Sequence, residues 1–175
     1  MKYIALLRGV NVGGNNMIKM ESLRASVAAL GYKNVRSYLN SGNLVFETAK
    51  VSEKKLAKKI HDSIRTNFGF DISVMVRPSS VIADLVKNNP FEGKFDNDKN
   101  MHVFFLDEEL AEDKKAMLLA EGSDSEMFAV VDHHVLCLLR IHILDSSVGK
   151  GFIDKKLKVA STARNWRTVK ALAEM

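Results

Sequence analysis

The sequence has 175 residues, of which 46% are apolar, so it can form one ordinary domain or two small ones that share a core. Its only cysteine, Cys137, lies in an apolar run, which excludes a disulfide framework and is typical of a cytoplasmic protein. The first residues, MKYIALLRG, hold too few apolar residues before Arg8 for a signal peptide, and no other run approaches membrane-spanning length. We therefore expect no membrane partner.

The net charge of +5 is unevenly distributed along the chain. Residues 1–88 carry 14 basic and 6 acidic side chains, residues 89–144 carry 5 and 12, and residues 145–175 carry 7 and 3. Such a distribution can create a polarised surface that attracts polyanions. Alternatively, the basic and acidic segments neutralise each other across a contact within the fold or between two copies of the chain. The sequence leaves both readings open.

The first half of the chain predicts the order strand, helix, two strands, helix, strand. Residues 2–8 (KYIALLR) are typical of a mostly buried strand, and an apolar stripe at helical spacing follows and ends at Gly31. KNVRSYL and LVFE alternate in polarity around the turn NSGN, which indicates a hairpin. Ser52 is a candidate cap for a second helix, and DISVMVR is a strand that ends before Pro78.

The second half predicts the same order again. A helix near residues 80–88 is stopped by Pro90, and the polar stretch EGKFDNDKN marks a boundary. MHVFFLD is then a strand, residues 109–121 are a helix before Gly122, and EMFAVVD with VLCLLRIHI is a hairpin. We expect the tail to be helical, which leaves the second half without a clear fourth strand.

This element order is that of a ferredoxin-like unit. We therefore predict an α+β protein of two tandem ferredoxin-like subdomains, with antiparallel sheets and helices packed on them. The predicted division is a first subdomain at residues 1–78, a connecting helix and loop at 79–100, and a second subdomain with a C-terminal helix at 101–175.

A glycine-rich loop, RGVNVGGNNMIK, joins the first strand to the first helix. Loops of this kind bind anions through backbone N–H groups and the helix dipole. Gly9, Gly13 and Gly14 fit neither the P-loop spacing nor the dinucleotide fingerprint, so a phosphate site here would be of another kind. Arg8 and Lys19 flank the loop and would supply positive charge.

Topology predicts which other residues lie near this loop. In a ferredoxin-like unit the first strand ends at the same sheet edge as the hairpin between strands two and three. We therefore expect a cluster of Arg8, Asn11, Asn40, Ser41 and Asn43. The alternative is structural, because Asn, Ser and Gly are also good turn and capping residues.

The tail STARNWRTVKAL raises a similar question. Thr162 is a candidate helix cap, which would put Arg164 in the first turn, where the helix dipole disfavours a cation. We expect a negative group nearby, either an acidic side chain from the middle segment or a bound anion shared with the opening loop. Thr162, Arg164 and Asn165 are therefore candidate ligand residues.

Three stretches, LLRGVNVGGNNMIKM, SYLNSGNLVFE and TARNWRTV, resemble the signatures of domain of unknown function family 1697, and the resemblance runs nearly end to end. It implies a pair of ferredoxin-like subdomains in a cytosolic bacterial protein, and it implies no activity. The matching positions are Arg8, Gly9, Asn11, Gly13, Gly14, Lys19, Met20, Ser41, Gly42, Asn43, Arg164, Asn165 and Thr168. Asn15 and Arg167 depart from the usual Lys and Asn, and the first departure removes a cation from the loop.

Other chemistry is only weakly indicated. RNA-recognition domains of this fold need aromatic side chains on the central strands, where SGNLVFE has Asn43 and Val45, so base stacking is not expected. His102 and His142 lack a carboxylate or thiol partner for a metal, and Cys137 has no neighbouring base. We expect no metal and no cofactor, and the sequence leaves open whether the protein is an enzyme.

The sequence thus predicts a small anionic or phosphorylated ligand bound where the opening loop meets the NSGN hairpin. The candidate ligand residues are Arg8, Gly9, Asn11, Gly13, Gly14, Lys19, Ser41, Asn43, Thr162, Arg164 and Asn165. Two alternatives remain. One is a nucleic-acid-associated protein that uses the basic first half; the other is a homo-oligomeric assembly in which the acidic middle of one copy meets the basic half of another.

Overall fold

The structure is a computed structural model that describes residues 1–175. The chain divides into two units, each with one four-stranded antiparallel sheet. The first unit comprises residues 1–84 and 172–175, and the second comprises residues 85–171. This architecture confirms the predicted α+β class and the two tandem ferredoxin-like subdomains with helices on antiparallel sheets. No helix combines the length and the apolar character that crossing a bilayer requires.

The first unit has the predicted element order. Its elements are β1 (Lys2–Leu7), α1 (Met20–Ala28), β2 (Lys33–Tyr38), β3 (Asn43–Glu47), α2 (Glu53–Phe68), β4 (Val74–Pro78) and α3 (Ser79–Lys87), the last of which crosses the division between the units. The sheet order is β2-β3-β1-β4, so β1 lies between β3 and β4. Ile4 faces Val45 on one side and Arg77 on the other. The end of β1 therefore lies beside the turn that joins β2 to β3.

Apolar side chains on one face of β1 and β3 pack against α1 and α2 to form the core of the first unit. Phe46 stacks between Tyr3 and Tyr32, with ring centroids 5.9 and 4.7 Å apart. Ile60 and Ile64 of α2 are completely buried in the same core. The Ser52 hydroxyl makes no capping hydrogen bond, so α2 is held by its buried stripe rather than by its predicted cap.

Strand β2 is the first strand of its sheet and has a neighbour on one side only. Its pairing with β3 shifts register between Lys33 and Arg36. Asn34, within this shift, has a left-handed backbone (φ +54°), and its side chain donates to Glu47 Oε2 at 3.0 Å. The irregularity is a β-bulge that bends the strand.

The second unit contains four strands, including one that the sequence did not indicate. Its elements are β5 (Met101–Leu106), α4 (Glu112–Ala120), β6 (Glu126–Val131), β7 (His134–Leu139), α5 (Phe152–Lys155), β8 (Ser161–Asn165) and α6 (Trp166–Glu174), the last of which crosses the division between the units. The sheet order β6-β7-β5-β8 repeats that of the first unit. Short 3-10 turns lie at Asp98–Asn100 and Ile143–Asp145.

The helical interpretation of the start of the tail is wrong. Thr162 and Arg164 lie in β8, where they pair with Phe105 and Val103 of β5. The cap of the following helix is Asn165, whose Oδ1 accepts a hydrogen bond from the N–H of Thr168 at 2.9 Å. Pairing with β5 satisfies the backbone of this segment, which outweighs a local sequence pattern that favours a helix.

Candidate functional site

The opening loop between β1 and α1 has an unusual backbone. Gly9, Asn11, Gly13, Gly14 and Asn16 all have positive φ, from +47° to +78°. Glycine and asparagine are the residues that adopt this conformation at least cost. The composition of the loop therefore dictates its shape.

Asn11 ties this loop to itself and to the β2–β3 turn. Its Nδ2 donates to the backbone oxygen of Ile18 at 2.9 Å and to that of Asn40 at 2.8 Å. Its Oδ1 accepts from the N–H of Ile18 at 2.8 Å. The opening loop and the hairpin thus lie together in the structure. The side-chain amide of Asn11 makes its hydrogen bonds to backbone groups of these two turns.

Asn43 and Gly42 are also held by contacts within the fold. Asn43 is completely buried, and its Nδ2 donates to the backbone oxygen of Tyr38 at 2.9 Å and to Ser41 Oγ at 3.0 Å. The N–H of Leu7 donates to the backbone oxygen of Gly42 at 2.8 Å. These contacts give the hairpin residues a structural role.

The tip of the loop is the part that faces solvent. Arg8, Gly13, Gly14 and Lys19 are exposed. No hydrogen bond within the chain uses the N–H of Gly13 or Gly14, although the neighbouring Asn15 N–H closes the tip by donating to the backbone oxygen of Val12 at 3.0 Å. Two adjacent backbone donors at this exposed tip therefore have no acceptor in the chain, in a loop that begins after Arg8 and ends at Lys19.

The tail residues Thr162, Arg164 and Asn165 belong to the second unit. The Arg164 guanidinium is buried and donates to Thr162 Oγ1 and to the backbone oxygen of Ala163, both at 2.8 Å. Burial lowers the pKa of Arg164 to about 10, so the side chain stays charged at neutral pH. That these residues join the opening loop in one site stays a prediction.

His102 lies in β5 and is half-buried. Burial, and to a lesser extent the charge of His142, lower the pKa of His102. Cys137, opposite His102 in the sheet, is completely buried, and burial raises the pKa of its thiol far above the ordinary value. An inert thiol follows, because the thiolate is the reactive form. The structure contains no group of three or more acidic, histidine or cysteine side chains that could hold a metal ion.

Sequence reasoning missed three exposed apolar side chains on the same two turns. Val12, Met17 and Leu39 are 59%, 62% and 58% exposed. Leu39 also has a left-handed backbone (φ +55°), which a leucine rarely adopts. No residue-type signal predicts either feature, because an apolar residue beside a turn is normally read as the end of a strand.

Comparisons with known proteins identify a family and a fold. The family model described as "Protein of unknown function (DUF1697)" matches residues 1–136. The solved structure of a conserved bacterial protein from Streptococcus pneumoniae is similar, with 22% sequence identity and a TM-score of 0.77 over 99% of this chain and 97% of that chain. No curated protein matches the sequence significantly.

Proposed function

We propose that this chain, which belongs to the family described as "Protein of unknown function (DUF1697)", binds a small anionic or phosphorylated ligand at the tip of the opening loop. The observation that carries the proposal is the pair of adjacent N–H groups at Gly13 and Gly14. Both residues have left-handed backbones, both are exposed, and neither N–H has an acceptor in the chain.

The hydrogen bond from Asn15 to Val12 makes residues 12–15 a turn, and successive backbone N–H groups in a turn form a site that attracts anions. Arg8 and Lys19 add positive charge at either end of the loop. Because Asn11 already fixes the loop to the hairpin, ordering the loop on ligand binding costs little free energy. The ligand would therefore be recognised by backbone donors, with the two cations setting its charge.

Several candidate residues act by holding this loop. Asn11 bonds the loop to the hairpin, and Asn43 bonds to Tyr38 and Ser41 within the hairpin, so in this proposal these side chains position the loop instead of touching the ligand. Arg164 and its neighbours lie in the second unit, and the proposal for the first unit stands without them.

Thermal unfolding against phosphate, nucleotides and sugar phosphates at low salt tests the proposal. A ligand at about 100 times its dissociation constant adds about 2.7 kcal/mol to the free energy of unfolding, a readily measured shift. Arg8→Ala should abolish the ligand-induced shift and Lys19→Ala should reduce it, each compared with the variant's own ligand-free transition. Lys50→Ala removes an exposed lysine elsewhere in the same unit and should leave the shift unchanged.

Two results would overturn the proposal. The first is the absence of a shift with every anion tested. The second is an equal loss of the shift in Lys50→Ala and Arg8→Ala, because that would indicate general attraction to a basic unit instead of a site at the loop.

A second candidate function is nucleic-acid association through α2. Lys54, Lys55 and Lys59 on this helix are exposed, whereas Lys58 is paired with Asp62 at 2.6 Å. Such a face would contact phosphates, so affinity for single-stranded RNA should fall steeply with salt. Charge reversal of the three exposed lysines should reduce that salt dependence, and a flat salt response would remove this candidate.

The proposal includes a cytosolic bacterial setting. The single thiol, Cys137, is completely buried and so cannot form a disulfide with another chain, which suits a reducing compartment. The family signatures of the sequence point to the same setting.

A further inference from the structure

The two turns joined by Asn11 carry the apolar triad, which consists of Val12, Met17 and Leu39. Each member is the chain neighbour of a residue in the Asn11 hydrogen-bond group: Val12 follows Asn11, Met17 precedes Ile18, and Leu39 precedes Asn40. Because successive Cα atoms are about 3.8 Å apart, the three side chains originate in one small area of the surface. Each is more than half exposed.

The fold of the first unit does not account for this exposure. Leu39 keeps a left-handed backbone that is unfavourable for a residue with a Cβ atom, and yet its side chain is not buried. In the sequence, Val12 and Met17 also lie between the exposed cations Arg8 and Lys19. A matching partner would present an apolar centre between acidic side chains.

Helix α4 of the second unit has that character. Part of its exposed surface, the acidic stripe, consists of Asp113, Ala116, Met117, Ala120 and the C-cap residue Glu121, which follow one another at intervals of one, three and four residues on one side of the helix. Met117 at its centre is 47% exposed, while the adjacent Leu118 is completely buried. The stripe therefore places an apolar centre between two carboxylates.

The cations of α4 do not neutralise this stripe. Lys115 is paired with Glu112 at 2.7 Å, and Lys114 lies 3.9 Å from Glu108. The segment of residues 107–113 carries five acidic side chains and no basic one, and it includes Glu108 and Glu112, the partners of these two lysines. Asp113 and Glu121, the carboxylates on either side of Met117, are not the partners of these lysines and can face a basic partner.

We infer that the apolar triad of one copy of this chain docks on the acidic stripe of a second copy. Val12, Met17 and Leu39 would pack on Met117 and its flanking alanines, with Arg8 and Lys19 near Asp113 and Glu121. A contact between two triads is disfavoured, because it would bring like charges together. The interface is therefore head-to-tail, and such interfaces generate rings or open chains.

This inference goes beyond the proposed ligand site and is separable from it. The ligand would use the N–H groups of Gly13 and Gly14, whereas docking uses side chains. Met117→Glu alters only α4, so a loss of association in this variant leaves the anion-induced thermal shift as it is in the unaltered protein.

The experiment is sedimentation of the unaltered chain and two variants from micromolar to millimolar concentrations. The mass of the unaltered chain should rise above the 19.5 kDa of the monomer as concentration increases. Leu39→Asp introduces a residue type that tolerates the left-handed backbone better than leucine does, and it adds a charge that repels the acidic stripe. Leu39→Asp and Met117→Glu should each weaken association by at least about tenfold.

Mixing the two variants provides the decisive readout. An intact triad on the Met117→Glu chain can bind an intact stripe on the Leu39→Asp chain, so the mixture should form a one-to-one dimer of two 19.5 kDa chains, although each variant alone is monomeric. Leu144→Asp, which alters a 68% exposed leucine elsewhere, is the matched control and should associate like the unaltered chain.

Three outcomes would overturn the inference. These are a monomeric unaltered chain at every concentration, variants that associate as strongly as the unaltered chain, and two monomeric variants that stay monomeric when mixed. Circular dichroism on each variant separates a lost interface from a lost fold.

Discussion

A Cβ atom placed on Gly42 would lie 2.7 Å from the Cβ of Leu7. The two residues are also joined through the backbone, since the N–H of Leu7 donates to the oxygen of Gly42 at 2.8 Å. The hairpin turn is therefore pressed against the end of β1 at a distance that only glycine permits. Both the close approach and the positive φ of +74° require glycine here.

Gly42→Ala should lower the free energy of unfolding by about 3 kcal/mol, because backbone strain adds to an overlap that the packed core cannot relieve. Gly14→Ala is the matched control: its φ is +78°, but a Cβ there meets no atom within 4 Å. It should lose only about 1 kcal/mol. Urea unfolding of both variants is the measurement, and equal losses would show that the contact with Leu7 contributes nothing.

Asn11→Asp should detach the opening loop from the hairpin. The substitution keeps the size and the left-handed tolerance of the residue but removes the two hydrogen bonds that Nδ2 donates to Ile18 and Asn40. The expected loss is about 2 kcal/mol. Amide hydrogen exchange in the loop should accelerate at the same time.

The control for this link is Asn16→Asp. Asn16 also has a left-handed backbone (φ +47°), but its side chain donates a single hydrogen bond, to the oxygen of Gly9 at 3.1 Å. A smaller loss of stability and slower exchange than in Asn11→Asp are expected. The opposite ranking would contradict the role assigned to Asn11.

His61 should make the stability of the first unit depend on pH. Its Nε2 lies 2.7 Å from Asp71 Oδ1 and its Nδ1 lies 3.3 Å from Asp62 Oδ1. The hydrogen bond with Asp71, followed by that with Asp62, raises the pKa of His61 above 6.5. The folded chain therefore holds the proton more tightly than the unfolded chain does.

The sign of the effect follows from this difference. The raised pKa contributes stability that is complete below pH 6.5 and is lost as pH rises through the pKa of the folded state. His61→Asn should thus destabilise the protein more in mildly acidic buffer than in mildly alkaline buffer. Urea unfolding across this range is the measurement. Asp71→Asn should remove most of the pH dependence, and a His61→Asn effect that is independent of pH would refute the explanation.

The sequence predicts the parts of the fold that local patterns determine. Alternation and apolar stripes indicate seven of the eight strands, and the order of elements predicts that Asn11 and Asn40 lie on neighbouring turns. Sequence patterns do not predict strand β8, because only its pairing with β5 makes it a strand. The buried Arg164 also breaks the usual alternation of apolar and polar side chains along a strand. The left-handed backbone of Leu39 is not predicted for a different reason, since leucine has no preference for that conformation.

The bulged strand β2 has a consequence for aggregation. An open strand at the edge of a sheet is a template on which another chain can add a strand, and this one bends at Asn34 and exposes Lys33 and Arg36. A flat incoming strand could not follow the bend, and it would have to place its own side chains against two cations. The bend and the two cations therefore protect this edge from amyloid-like stacking. At high concentration, they prevent the sheets of two copies from pairing through β2.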